Sequence, residues 1–321
     1  MAGWPFWPGR FATTEGGMDI YLPIANLSVN ALFIIGLGGV VGLLSGMFGV
    51  GGGFLTTPLL IFYGIPPTVA AASAATQVMG ASVSSVVSHI ERKTIDFAMG
   101  GVMVAGGMIG AVIGAFIFRL LERIGQIDMV IGILYVVMLG SIGLLMARES
   151  IHSLIMARRG IHPEARKRRH HPLVATLPFR WRFYASGLYI SPLAPLLLGV
   201  FSGILTMLMG IGGGFILVPA MLYILGMSTQ LVIGTSLFQI LFVTMVTTMV
   251  HAVTTHAIDL VLAFLLLIGS VAGAQVGGRI SMKAPPEYLR VALALIVLVV
   301  AIRMALGLGW RPDEIYTVVV R

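Results

Sequence analysis

Two stretches of this chain contain no Asp, Glu, Lys or Arg: 71 residues from Ile20 to Ile90 and 76 from Phe183 to Ile258. A water-facing surface cannot be assembled from runs of that length. A soluble domain carries about 25% charged residues, whereas this chain has 10%, with 58% hydrophobic. Shorter charge-free runs cover 97–118, 129–147 and 260–278. A membrane-crossing helix needs roughly 20 apolar residues, so each long run holds about three crossings, one of them short.

Turn signals divide the runs. Gly51-Gly52-Gly53 and Gly64-Ile65-Pro66-Pro67 cut the first, and Gly212-Gly213-Gly214 and Gly226-Met227-Ser228 cut the second. The expected elements are ten helical segments: 27–48, 53–63, 67–90, 97–118, 128–147, 191–209, 214–225, 229–252, 258–279 and 288–307. The second and seventh are too short to span and read as half-helices or re-entrant elements. Irregular backbone at membrane depth persists only where protein or a wet cavity satisfies it, so the glycine triplets are expected to line something. The fold class is an all-α integral membrane protein. Its expected parts are an N-terminal interfacial arm (1–26, with Trp4, Phe6, Trp7 and Phe11), a first transmembrane repeat (27–147), a basic linker (148–190), a second repeat (191–308) and a tail (309–321).

The repeat is visible in the letters. Gly49–Pro58 (GVGGGFLTTP) matches Gly210–Pro219 (GIGGGFILVP) at an offset of 161. After a one-residue slip, Ser73 aligns with Thr235, Gln77 with Gln239 and His89 with His251. A further slip aligns Ile95-Asp96 with Ile258-Asp259, and Gly106, Gly110 and Gly114 with Gly269, Gly273 and Gly277. Upstream, Gly42–Gly46 (GLLSG) matches Gly199–Gly203 (GVFSG), which leaves four extra residues before the second triplet. Duplicated halves are typical of secondary transporters, with the substrate at the repeat interface.

The net charge of +8 would suggest nucleic acid in a soluble chain. Here nine basic and two acidic residues fall within 148–190, and the rest of the chain is nearly neutral. A basic loop between membrane segments marks the cytoplasmic side and touches anionic lipid, so nucleic acid is not an expected partner. With five segments per half, the second half is inverted. Residues 253–257, without Lys or Arg, then lie outside, and Arg279, Lys283 and Arg290 lie inside. If the glycine-broken segments do not cross, the repeats are parallel. The inverted arrangement fits the charges better, although Arg119 and Arg123 then face outward.

The doubled pairing of G-x-x-S-G with G-x-G-G-G-F-x-x-x-P resembles the TauE/SafE family of sulfite and organosulfonate transporters. It is carried here by Gly42–Gly46 with Gly49–Phe54 and Pro58, and by Gly199–Gly203 with Gly210–Phe215 and Pro219. The resemblance covers both halves, about 27–147 and 191–308. It implies movement of a small sulfur-containing anion (sulfite, thiosulfate or an organosulfonate) across a plasma membrane, the bacterial inner membrane by expectation. It fixes neither the substrate nor the direction.

Such an anion must exchange its hydration shell for fixed donors. Helix N-termini supply free N–H groups and about half a positive charge, and glycine lets the backbone approach the ligand. The candidate substrate-binding backbone is Gly49, Gly51, Gly52 and Gly53 with Gly210, Gly212, Gly213 and Gly214. The alternative is close helix packing, which is the reading for Gly106, Gly110, Gly114 and their partners. Gln77 and Gln239 sit mid-segment, where an unbonded amide is costly. Each has a hydroxyl one turn earlier, Ser73 or Thr235. These four side chains are expected either to line the path or to bond helices together. His89 and His251, near segment ends, are candidates for proton coupling or interfacial residues that satisfy a loop.

Cysteine is absent, which removes disulfides and thiolate chemistry. The linker histidines (His152, His162, His170, His171) are too irregularly spaced for a metal site, and no cofactor motif is present. The expected partners are the anion, the bilayer and protons as a possible coupling ion, with an oligomer left open. A passive anion channel is the alternative function. An intramembrane hydrolase using Ser45 and His89 is a remote one.

Overall fold

The computed structural model describes residues 19–48, 53–158, 180–281 and 286–309. The chain is a helical membrane protein. Its first half contains a hairpin of β1 (Asp19–Leu22) and β2 (Leu27–Asn30), then α1 (Ala31–Phe48), α2 (Gly53–Phe62), α3 (Pro67–Glu91), α4 (Phe97–Ile124) and α5 (Ile127–Arg158). The second half contains a hairpin of β3 (Trp181–Phe183) and β4 (Leu188–Ile190). It is followed by α6 (Leu193–Met209), α7 (Gly214–Ala220, prolonged by a π turn Met221–Leu225), α8 (Thr229–Thr254), α9 (Leu260–Ser281) and α10 (Pro286–Gly309).

Local chemistry explains the boundaries. Pro67 starts α3, where a missing N–H costs nothing. Asp96 caps α4 by accepting from the backbone N–H of Met99. Pro219 removes a helical hydrogen bond, and the π turn follows it directly. Among the described residues, six helices are long and apolar enough to cross a membrane: α3, α4, α5, α8, α9 and α10. Apolar side chains such as Val112, Phe116, Leu144, Val253 and Val299 remain exposed on their outer faces, as lipid contact requires.

Two short hairpins, not expected from the sequence, accompany the helices of this all-α fold. Residues 19–26, read as part of an arm, pair with 27–30. Residues 181–190, read as linker, form the second hairpin, and α5 continues the first half to Arg158. The aromatic residues of the arm and the linker histidines 162, 170 and 171 lie outside the described residues. Leu22 and Val29 are fully buried beside Ile34 and Ile65, so the first hairpin is a structural plug as much as a surface feature.

The helices pair across the halves. A Cβ on Gly38, Gly42 or Gly46 of α1 would overlap the backbone of Leu266, Ser270 or Ala274 of α9. Both series ascend, so α1 and α9 run parallel. Gly106, Gly110 and Gly114 of α4 meet Leu196, Val200 and Ile204 of α6 in the same manner. These are small-residue crossings, in which backbones approach because no side chain intervenes. By contrast, α3 and α8 run antiparallel: Val86 packs in one cluster with Leu237, Thr76 meets Thr248, and Ser73 reaches the N–H of Asp259 beyond the end of α8.

These contacts correct one alignment. Gly199 meets Met103 as Gly38 meets Leu266, and Gly203 meets Gly107 as Gly42 meets Ser270. The offset between α1 and α6 is therefore 161, the same as between the glycine triplets, and no residues are inserted. The apparent four-residue surplus arises from matching the Ser-Gly pair one helical turn out of register. In the structural register Ser45 corresponds to Thr206, and Ser202 to Val41.

Candidate functional site

The segments that flank the α6–α7 pair pack near one another. The hairpin before α6 binds Asp96 at the start of α4, and Leu225 and Met227, after α7, pack with Met99 and Phe183 at that same end. Between the two helices the chain turns at Gly210, Gly212 and Gly213, with φ of 73°, 75° and 77°. L side chains rarely adopt that conformation, and the triplet supplies it where the turn is buried. A Cβ on Gly210 would also overlap the backbone of Ala71. Gly214 opens α7.

Gly53, at the start of α2, approaches this turn: its Cβ position lies 2.9 Å from the carbonyl oxygens of both Gly210 and Ile211. Next to it, Phe54 and Phe215 stack with ring centroids 4.6 Å apart and planes within 5°. The two glycine-led helix starts thus meet at the centre. Gly49, Gly51 and Gly52 lie outside the described residues.

The turn is held firmly. The carbonyl of Met209 accepts from the hydroxyl of Tyr135 at 2.6 Å and that of Thr57 at 3.2 Å. The carbonyl of Met207 lies 3.0 Å from Nε2 of His251. A carbonyl only accepts, so Nε2 carries the proton, and Nδ1 lies 3.1 Å from the Thr255 hydroxyl, which also reaches the His251 carbonyl. Both nitrogens of this buried histidine are occupied by the fold. His89 is partly exposed at the end of α3, with Nδ1 2.7 Å from the Thr94 hydroxyl.

Ser73 and Thr235 are fully buried, but each accepts the backbone N–H of an aspartate from the other half. Ser73 pairs with Asp259 and Thr235 with Asp96. Each aspartate in turn caps its own helix and binds a turn in the opposite half's hairpin. Asp259 accepts from Leu262 and Ile24, and Asp96 from Met99 and Ser186. Ser73 and Thr235, read from the sequence as lining the path or bonding helices together, thus each have a partner in the other half. The Asp-Ile spacing after each histidine was legible, but its hairpin partner was not.

Gln77 and Gln239 are at most 1% exposed. Oε1 of Gln77 accepts from Thr56 at 3.0 Å, and its Nε2 has no partner. Nε2 of Gln239 donates to Ser202 at 3.0 Å, and its Oε1 has no partner. Gln77 lines a partly open cavity of about 30 Å³ together with Gly42, Ser45, Ala81, Ser82 and Ser270, more than a single water needs. Among the site candidates from the sequence, Gln77 alone lines this cavity. Its hydroxyls come from Ser45, Ser82, Ser85 and Ser270, which sequence reasoning did not select as ligands. No charged side chain lines it, and the described residues contain no cluster able to hold a metal ion.

The profile described as "Sulfite exporter TauE/SafE" matches residues 34–304. The chain is 28% identical over 271 residues to "Probable membrane transporter protein YjnA" of Bacillus subtilis, covering 84% of this chain and 98% of that protein. It is 27% identical over 281 residues to "Probable membrane transporter protein" of Xylella fastidiosa, covering 86% and 95%. A 128-residue stretch, 39% of this chain, is 30% identical to 26% of "Sulfite exporter TauE/SafE family protein 3" of Arabidopsis thaliana. No solved structure gives a significant match. With a family profile spanning both halves, full-length transporter relatives and six helices fit to cross a bilayer, the chain belongs to the sulfite exporter TauE/SafE family of membrane transporters.

Proposed function

We infer that the protein is a secondary transporter of a small sulfur-containing anion, of the sulfite, thiosulfate or organosulfonate class. The observation that carries this is the partly open cavity beside the buried Gln77, whose unpartnered polar atom is a donor and whose lining holds no charge. Neutral donors suit a carried anion, because a site must bind well enough to fill and weakly enough to empty. The halves are read as inverted repeats. With α3 antiparallel to α8, and α1 and α6 parallel to α9 and α4, every first-half helix opposes its counterpart. Each half then has three crossings and a re-entrant pair (α1–α2 or α6–α7) joined at the glycine triplet. Transport by such folds takes place where the repeats meet.

The decisive experiment is uptake into proteoliposomes from a panel of sulfite, thiosulfate, sulfate and short sulfonates. The expected result is saturable flux of at least one sulfur anion that responds to an imposed proton gradient. Flux that never saturates and ignores the gradient indicates a channel, and no flux of any member overturns the reading.

In this topology the linker faces the cytoplasm of the bacterial inner membrane. Because the chain lacks cysteine, a single introduced thiol reports its side cleanly. His170→Cys should resist an impermeant maleimide in intact cells and react after permeabilisation. Labelling in intact cells reverses the orientation.

A further inference from the structure

The two glutamines occupy matching positions yet offer opposite atoms, and the sequence fixes the difference. Thr56 holds the carbonyl oxygen of Gln77, whereas the residue at the matching position in the second half is Leu217, so Oε1 of Gln239 is left without a partner. Ser202 accepts the amide of Gln239, and its own hydroxyl is committed to the carbonyl of Gly199. The matching first-half residue is Val41, fully buried and apolar, so the amide of Gln77 finds no such acceptor. One buried glutamine therefore presents a free donor and the other a free acceptor.

The space around them differs in the same sense. Around Gln77 stand Ser45, Val78, Ala81, Ser82 and Ser85. At the matching second-half positions stand Thr206, Ile240, Val243, Thr244 and Thr247, each larger by at least a methyl group. The exception is Ser270, matched by Gly107, and Val243 fills that gap: a Cβ on Gly107 would overlap its Cγ2. Ser45 and Ser82 make no hydrogen bond among the described residues, so two hydroxyls join the Gln77 amide as uncommitted donors.

We propose that the protein has one anion site rather than two. It lies in the first half, formed by Gln77 Nε2 and the Ser45 and Ser82 hydroxyls, and takes a small singly charged oxyanion of the alkanesulfonate type. The second-half counterpart is sealed by the Ser202–Gln239 bond and the extra methyl groups. Single charge follows from the lining. The cost of desolvating an ion grows with the square of its charge, so a dianion costs about four times as much, and three neutral donors do not offset it. The inference rests on the anion-transport reading above.

The test is binding of methanesulfonate and sulfate to the purified full-length chain, read by titration and by thermal stabilisation. Gln77→Ala and Ala81→Val, the latter writing the second-half residue into the cavity, should each weaken methanesulfonate binding about tenfold or more, the worth of one charge-assisted hydrogen bond. Gln239→Ala and Val243→Ala should change it less than about threefold, on the same scale. Sulfate should neither bind comparably nor compete. If Gln77→Ala does not fold, Ala81→Val decides alone. Equal losses on the two sides, unchanged binding in Ala81→Val, or sulfate binding as tightly overturns the single monoanion site and leaves transport standing. A wild-type chain that binds neither methanesulfonate, bisulfite nor thiosulfate overturns both.

Discussion

Gly42→Ala is expected to cost the protein most of its stability, although it adds a single carbon. That carbon would overlap the backbone of Ser270, and backbone cannot rotate out of the way as a side chain can. The α1–α9 pair must separate along its length, and the other close crossings (Gly38, Gly46, Gly269, Gly273, Gly277) open with it. Overpacking a side chain costs about 1–3 kcal/mol, and displacing a helix pair costs more, against a total of about 5–15 kcal/mol. Gly110→Ala should behave alike, since its Cβ would overlap Val200 of α6. The controls lie on the same helices. Gly36 of α1 and Gly101 of α4 face open space, and alanine there should be neutral or stabilising. Thermal midpoints in detergent read the difference. A Gly42→Ala protein that melts with Gly36→Ala would show that the crossing is looser than described.

Asp259→Ala should be the next most damaging change. Its carboxylate accepts from Leu262, the third residue of α9, and from Ile24 in the turn of the first hairpin, at 3.1 Å each. Asp259 is fully buried, so the Leu262 N–H would be orphaned away from water, while the N–H of Ile24, a residue 40% exposed, would lose its partner at the surface. An orphaned buried donor costs about 1–3 kcal/mol, and the lost Ile24 bond about 1 kcal/mol, which together suggests about 2–4 kcal/mol. Asp259→Asn keeps one acceptor oxygen and should recover part of this. Asp96→Ala should match it through Met99 and Ser186. Because the two clasps sit at opposite ends of α3, the double variant should show additive losses. Proteolysis within 19–30 should accelerate in Asp259→Ala and not in Asp96→Ala. Equal protection in both would separate the hairpin from the clasp.

Helix positions were readable because absence of charge and glycine-proline punctuation are local signals. The ten helical segments start within four residues of their sequence positions, and eight also end within two, whereas α4 and α5 run 6 and 11 residues further. The hairpins were not readable. Asp19–Asn30 and Trp181–Ile190 lack strict alternation, and what holds them is a tertiary bond to an aspartate more than 80 residues away. The glycine rows were identified as packing but not assigned to partners, since a small-residue stripe does not say which helix it faces. The site was legible in part. A buried glutamine must bond to something, which singled out Gln77 and Gln239, but only geometry shows that Val41 and Leu217 leave different atoms free. Ser73 and Thr235 share a helical face with those glutamines, which fits lining and helix bonding alike, and only geometry shows their bonds to Asp259 and Asp96.

The reciprocal clasps also bear on how the protein is made. The ribosome completes the first hairpin and α1 long before it reaches Asp259 and the glycine row of α9, and α4 precedes its partner α6 by a whole linker. Neither half can finish its own assembly in isolation, since each lends a helix and a hairpin to the other. The first half must wait in the membrane with its small-residue face and hairpin turn unsatisfied. The halves expressed as separate chains should accumulate only together, which makes the two halves a single unit of biosynthesis.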